Sequence, residues 1–596
     1  MIRRNLLFLL VAIALQPGIN HVFAVKAYPA PIQVRQPDGT ELTVRLHGDE
    51  FRHYKTTGDG FLIRQDSRGF YTYATVDSNG VIVGGTTIAR DAKNRSAAET
   101  RYLQGIDKLR VASAIESTRQ KSRKILSSAS AAPRKAYPLD GSPKALVILA
   151  NFSDNTFSVD NPQASFQNLA TQSGYSANGG TGSAKDYFMS SSYGKFAPDF
   201  VVVGPVTLPQ DLAYYGTNDL NGDDKYPAQM VVDACTAANA AGLDFTQFDT
   251  DGDGYIDNVF VYYAGYNEAE GADSTTIWPH RWQVLARSED LAGYNYPGTV
   301  ASKTFDGKIL LDYSCTSELK GNSGSNMCGI GTFCHEFGHV LGLPDFYDTS
   351  GTQSYTLETW DIMDTGPYLN GGSTPPAYSA YERFYLGYLT PEQISTASNI
   401  TLDPLYLGTS AVSSTAGQSY LFAASSHNMS ATSPSPAEFF MVEYRKHTGW
   451  DRFLGQSINN INTYTGIPSD GLCIWHVDYS QLAWDQNTPN NYTGSTQTAS
   501  SHMRLYLQPL VGQSTTPGTT FTDGSFIPTT WVGTNIDRPV TSIALNPENA
   551  TFKFMGGVFV FGNFSALNAT NLAPTGFTAN WSEASGATGY LLNVYT

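Results

Sequence analysis

The chain has 596 residues, of which 15% are charged and 12% aromatic, with a net charge of −16. That length is too great for one ordinary core and predicts several domains. The composition is that of a folded, tyrosine-rich, β-rich secreted protein and excludes a disordered one, and the acidic balance argues against nucleic acid as a partner.

The charge is unevenly spread. From 25 to 140 there are 19 Lys/Arg against 12 Asp/Glu, a balance of +7, and from 141 onward the balance is −25. A basic leading segment on an acidic body predicts attraction between the two.

Residues 1–24 read as a signal peptide. Arg3 and Arg4 start it, Leu6 to Leu15 is apolar, Pro17-Gly18 breaks the run, and Val22-Phe23-Ala24 is a small-residue exit. The apolar run is too short to span a bilayer, as is every later one. The mature protein is expected to be exported, extracellular or held at the cell surface by a longer C-terminus. From Val25 to Tyr73 apolar and polar residues alternate around Asp38-Gly39 and Asp59-Gly60, which predicts a small β unit. The spacing of Leu103, Ile106, Leu109 and Ile115 predicts a helix over Ala97 to Leu126, ending in Arg119, Lys121, Arg123 and Lys124. Ser127 to Tyr137 is small, polar and proline-broken, with Arg134-Lys135 inside it, and predicts an exposed linker open to nicking.

The apolar run Ala145 to Ala150 predicts a buried strand opening the next domain, and Ala184 to Tyr193 a helix. Asn218 to Asp224 is rich in oxygen donors, either a solvated turn or a cation site. More specific is Asp249-Thr-Asp-Gly-Asp-Gly-Tyr-Ile-Asp257. Carboxylates at alternate positions with a glycine for the sharp turn match the first half of a calcium loop. The expected calcium ligands are Asp249, Asp251, Asp253, the Tyr255 carbonyl and Asp257. The twelfth position is Phe260 rather than glutamate, and Val259 to Tyr263 has strand character, so the last ligand must come from elsewhere.

The organising stretch is His335-Glu-Phe-Gly-His-Val-Leu-Gly-Leu-Pro-Asp345. Histidines four apart on a helix share one face and can bind a single tetrahedral zinc. Glu336 beside them can hold the proton of an attacking water. Gly342 stops the helix and Pro344 prevents it from resuming, so Asp345 turns back as the expected third ligand. Asp348 and Glu382 compete for that role. Two histidines, a glycine turn and a ligand three residues on describe the metzincin type of zinc protease, with Asp where many members have His. Met363, in Trp360 to Gly366, then reads as a methionine turn beneath the metal.

Five cysteines form no disulfide framework. Cys334 next to His335 makes no dyad, because helix neighbours point about 100° apart.

With Asp249 to Asp257, Ile277-Trp-Pro-His-Arg281, His335 to Asp348, Trp360 to Gly366 and Gly471-Leu-Cys-Ile-Trp-His-Val-Asp478 in view, the chain resembles the peptidase M6 family of immune inhibitor A-like secreted metalloproteases. Gly48-Asp-Glu-Phe51 and Thr57-Gly-Asp-Gly60 also resemble that family's propeptide. The resemblance implies zinc on His335 and His339, Glu336 as general base, and protein or peptide substrates.

From Ile400 to Val558 short alternating runs predict an all-β region, and Thr578-Ala-Asn-Trp581 with Gly586 to Tyr595 resembles the start of a fibronectin type III domain. The expected organisation is a signal peptide (1–24), a small α+β propeptide and linker (25–140), an α+β metzincin-like catalytic domain (141–395), a β-rich C-terminal part (396–558) and an incomplete fibronectin-like start (559–596). The expected function is a secreted zinc endopeptidase made as a zymogen, with its own propeptide as inhibitor. The alternatives are a calcium-stabilised adhesion protein with an inert metal site, or a zinc hydrolase acting on non-peptide substrates.

Overall fold

The computed structural model describes residues 25–592, except 50–51, 128–136, 219–222, 285–299, 351–355, 455, 459, 465–469, 495, 509–520, 559–564, 585–588 and 591. The expected signal peptide, most of the linker, Glu50 and Phe51, and part of the Asn218 to Asp224 loop lie outside the described residues.

The leading unit is a six-stranded antiparallel meander in which each strand pairs with the next in sequence, from Ile32–Arg35 to Ile82–Ile88. Turns of one kind recur: the N–H of Gly39, Gly60, Gly69 and Gly80 each closes onto the carbonyl three residues back, with positive φ. The β unit thus runs past Tyr73 by one more strand. Gly84 and Gly85 hide that strand from pattern reading by interrupting the alternation. The expected single helix is two, Ala97–Gln104 and Lys108–Ser127, because the chain breaks at Gly105. Leu103, Val111 and Ala114 are buried, whereas Leu109 is 82% exposed and does not belong to the apolar stripe.

The central domain is built on a five-stranded sheet in the order His280–Gln283, Asp312–Ser317, Val259–Tyr263, Lys144–Asn151, Asp199–Thr207. The pairings are parallel except at the edge, where His280–Gln283 runs antiparallel. Ala145 to Ala150 are all buried, because helices cover both faces. Pro227–Ala240 packs on one face through Met230, Val231 and Cys235. Pro162–Thr171, Ala184–Ser191 and Gly331–Val340 pack on the other. Ser183 and Asp186 form a reciprocal cap on the second of these.

The C-terminal part is built mainly on two sheets, of five and four strands. In the first, Glu438–Arg445 and Gly471–Asp478 pair in the middle. Their residues alternate between two cores. Phe439, Met441, Cys473, Trp475 and Val477 join the core of the central domain, while Phe440, Val442, Leu472 and Ile474 face the second, four-stranded sheet. Burial on both faces explains the near-continuous apolar run of these strands. Glu443 and Arg445 tie the junction together. Arg445 reaches Asp451 at 2.7 Å and Glu443 at 3.2 Å, and Glu443 accepts the Ala380 N–H at 2.6 Å. Beyond it, Ala566–Ala573 and Gly576–Trp581 form an exposed hairpin.

No helix among the described residues is long and apolar enough to cross a membrane. All five cysteines are buried and unbridged.

Candidate metal centre

The helix Gly331–Val340 presents two faces. Phe333 and Phe337 anchor one on the sheet, with ring centres 4.3 Å from Phe260 and 5.3 Å from Phe200 respectively. His335, Glu336 and His339 are also fully or almost fully buried. Two glycines permit the packing. A Cβ on Gly331 would fall 1.9 Å from the Pro367 carbonyl, and one on Gly338 would fall 2.8 Å from the Met363 sulfur. Met363 therefore lies directly against the helix turn between the histidines. Gly342, at φ +106°, ends the helix.

Nδ1 of His335 donates to the Ile362 carbonyl at 2.7 Å, and Nδ1 of His339 to the Leu343 carbonyl at 2.8 Å. A carbonyl can only accept, so each Nδ1 carries the hydrogen and each Nε2 is left with its lone pair. The two Nε2 atoms are 3.2 Å apart, and each is 3.3 Å from Asp345 Oδ1. That oxygen is buried and receives no hydrogen bond. Three acceptors converging without a donor between them are mutually repulsive until a cation joins them. The donor set of two imidazoles and one carboxylate fits zinc and leaves a position open for chemistry.

Burial pulls the His335 imidazole down, but the bond to Asp345 and the charges of Glu336 and Asp345 outweigh it and lift its pKa to about 9. Burial lifts the Glu336 carboxyl to about 8, against the opposing charge of His335.

Asp345, and neither Asp348 nor Glu382, joins the histidines among the described residues. Asp348 accepts the Ser350 N–H at 2.8 Å, and Glu382 accepts the Ser379 N–H at the start of its own helix. Asp345 is clamped by a residue the sequence did not single out. Asn487 donates to Asp345 Oδ2 at 2.6 Å and accepts the Asp345 N–H at 2.6 Å. Asn490 donates to the Phe346 carbonyl at 2.7 Å, and Asn491 accepts the Thr349 N–H at 2.9 Å. The polar cluster Asn487-Thr-Pro-Asn-Asn491 was the available signal.

The leading segment enters this site. The Val25 nitrogen donates to Glu336 Oε1 at 2.9 Å, and the Val25 carbonyl accepts from the Trp278 indole at 3.0 Å. Within this segment Val25 is at the site, whereas His47 is hydrogen-bonded to Thr56 and Asp49 pairs with Arg52 in the sheet. Leu42, Val44, Tyr71 and Tyr73 share a core with Trp278 and Tyr368 of the central domain. His53 and Lys55 meet Glu268 at 3.0 and 3.5 Å.

The acidic loop is a second cluster. One carboxylate oxygen each of Asp249, Asp251 and Asp257 lie within 4.8 Å of one another. Asp253 is outside this group and its carboxylate accepts the Tyr255 N–H at 2.9 Å. Lys308 places its ammonium 2.6 Å from Asp249, a built-in countercharge.

Two buried histidines and a buried carboxylate, converging on a helix packed against a mixed sheet, form a group that could hold a metal ion. Residues 140–389 match the family model described as immune inhibitor A peptidase M6, catalytic domain, and the chain carries a domain of that family over this stretch. Immune inhibitor A of Bacillus thuringiensis subsp. alesti is 31% identical over 218 residues, which are 33% of this chain and 30% of that protein. The pre-pro-metalloprotease PrtV of Vibrio cholerae serotype O1 is 28% identical over 244 residues, 37% of this chain and 25% of that protein. The matched stretch thus spans less than a third of either relative.

Proposed function

We propose that the chain is a secreted zinc-dependent endopeptidase made as a zymogen. The observation that carries this reading is the convergence of His335 Nε2, His339 Nε2 and Asp345 Oδ1 beside a buried Glu336. A zinc ion on those three atoms would supply Lewis acidity and bring the pKa of its water toward about 7. Glu336 takes the proton of the attacking water and returns it to the leaving amine. Its Oε2 has no hydrogen-bond partner, so it has the capacity to accept. Ile362, Leu343 and Asn487 hold the ligand orientations. Export rests on the leader-like residues 1–24, and the domain boundaries given above stand as part of this proposal.

Latency is supported by the Val25 contact to Glu336 and by the core that the leading sheet shares with Trp278 and Tyr368. A segment seated there excludes water and substrate together. The test is a casein assay on the chain beginning at Val25, with zinc or with a chelator, before and after a trypsin-like protease cuts the 127–137 linker. Zinc-dependent activity that rises on cutting is expected. Hydrolysis indifferent to the chelator would remove the zinc reading, and full activity before the cut would remove latency.

Calcium at Asp249, Asp251 and Asp257, with Asp253 and the Tyr255 carbonyl completing the loop, belongs to the same proposal. Asp249 Oδ1 is buried and unpartnered, as a ligand atom awaiting a cation would be. Calcium at about 100 times its dissociation constant should add about 2.7 kcal/mol. A melting temperature indifferent to calcium at constant zinc would refute it.

A further inference from the structure

Val25 to Tyr28 enters the cleft with a defined polarity. The Val25 nitrogen lies 2.9 Å from Glu336 Oε1, the Val25 carbonyl accepts from Trp278, and the Lys26 carbonyl accepts from the Tyr368 hydroxyl at 2.5 Å. In peptide hydrolysis the residue after the cut bond owns the leaving nitrogen, and the general base returns a proton to that nitrogen. Val25 therefore stands where the first residue after the cut bond would stand, and Lys26 where the second would.

The Lys26 side chain has a made pocket. Its Nζ is 3.4 Å from Asp364 Oδ1, whose side chain is fully buried, and 5.9 Å from the centre of the Tyr347 ring. The other Asp364 oxygen is held by the Thr356 hydroxyl and the Glu358 N–H. Glu358 itself sits at φ +54°, a backbone conformation that a glutamate rarely adopts. Burial alone would drive the ammonium toward its neutral form, yet Asp364, Glu358 and Asp348 together hold its pKa above the ordinary value. An apolar or acidic side chain in this place would bring no positive charge to those carboxylates, which is a strong penalty in a desolvated site.

We propose that this pocket sets substrate specificity: the cleft selects peptides with lysine or arginine as the second residue after the scissile bond, read by Asp364 and Glu358. The inference rests on the peptidase reading above. Arginine fits the same chemistry, because its guanidinium can pair with the Asp364 carboxylate and stack on the Tyr347 ring.

The test uses the zinc-loaded chain cut in its linker and a peptide set that varies only this residue among Lys, Arg, Met and Glu. The expected result is a kcat/KM for Lys and Arg at least about tenfold above Met, with Glu lower still, the scale of a partly desolvated charge pair. Glu358→Gln should compress the Lys-to-Met ratio, and Glu358→Lys should shift preference toward Glu. Asp364→Asn should do the same as Glu358→Gln; because Asp364 also holds the Thr356 turn, the Glu358 pair keeps the test decisive if that variant does not fold. Cleavage indifferent to this residue, or a ratio unchanged in both Glu358 variants, overturns the pocket alone. Failure to cleave any of the peptides overturns the peptidase reading and the pocket with it.

Discussion

Of the places where this molecule buries an imidazole against a carboxylate, two in which the carboxylate is fully enclosed as well do opposite things. At the helix, His335 and His339 each lie 3.3 Å from Asp345 Oδ1. At the leading sheet, His53 Nε2 lies 3.0 Å from Glu268 Oε2, with its ring stacked 4.4 Å from Trp278. The difference is in the count of hydrogens. Around Glu268 the donors suffice: His53, Lys55 and the Asn218 amide all point at it. Around Asp345 Oδ1 the neighbours are lone pairs, because both histidines have spent their N–H on carbonyls. The first arrangement is closed by a proton and the second calls for a metal ion. His53 likewise sets its Nδ1 against a backbone carbonyl, that of Asp49 at 3.3 Å, so what separates the two places is the Lys55 and Asn218 donors that Glu268 has and Asp345 Oδ1 lacks.

The largest effect should come from Glu336, the proposed general base. Glu336→Gln keeps shape and neighbours but cannot accept the proton, so zinc should remain bound while hydrolysis falls roughly 10²–10⁴-fold. Zinc content by atomic absorption and turnover on one peptide check both halves. Near-normal turnover would show that the two buried carboxylate sites do not differ in chemistry as argued.

The histidine at the leading sheet should respond to pH in the opposite sense to the metal centre. Burial lowers the His53 pKa, but Glu268 and the nearby Asp224 and Asp223 raise it to about 9 in the folded chain, from an ordinary 6.5. A group raised in this way stabilises fully below about 6.5, and the contribution is lost as pH rises through about 9; linkage puts it at about 3 kcal/mol at most. Glu268 is shifted the other way: burial raises its carboxyl, but His53 and Lys55 outweigh that and lower it, so its share is lost as pH falls. Metal binding strengthens as pH rises, since protons leave the histidines. After the linker is cut, the leading segment should therefore dissociate more readily at pH 9 than at pH 6 while zinc stays bound. Size-exclusion chromatography across that range reads the release, and an identical profile for His53→Gln would remove His53 as its cause.

The sequence made the metal centre legible because its parts are local. Helix periodicity aligns His335 and His339, and Gly342 with Pro344 returns Asp345 to them within one turn. Ala145 to Ala150 was legible as a strand for the same reason. What stayed hidden is non-local. Asn487 lies 142 positions from Asp345, and Trp278 meets Val25 across 253. No spacing rule connects residues whose encounter depends on how whole sheets dock. The split of the leading helix at Gly105 was a different failure: a single glycine inside a helical pattern is usually tolerated, and the exposure of Leu109 is what reveals that the stripe had ended.

The smallest effect, and the one that most sharpens the comparison, concerns Asn487. It makes no approach to the metal position through its own ligand atom; it holds Asp345 by two bonds of 2.6 Å, one to the Oδ2 side chain and one from the backbone N–H. Its backbone sits at φ +53°, a conformation asparagine tolerates better than most residues. If the metal centre differs from the His53 site because its ligands are fixed from behind, removing the clamp should cost affinity without removing a ligand. Asn487→Ala is expected to weaken zinc binding about 10- to 100-fold, the usual scale for an orienting partner of a ligand. Asp345→Ala should instead abolish stoichiometric binding. Competition against a fluorescent zinc chelator measures both. Equal losses in the two variants would make Asn487 a general support of the fold, and no loss in Asn487→Ala would mean that Asp345 is positioned by the Gly342 turn alone.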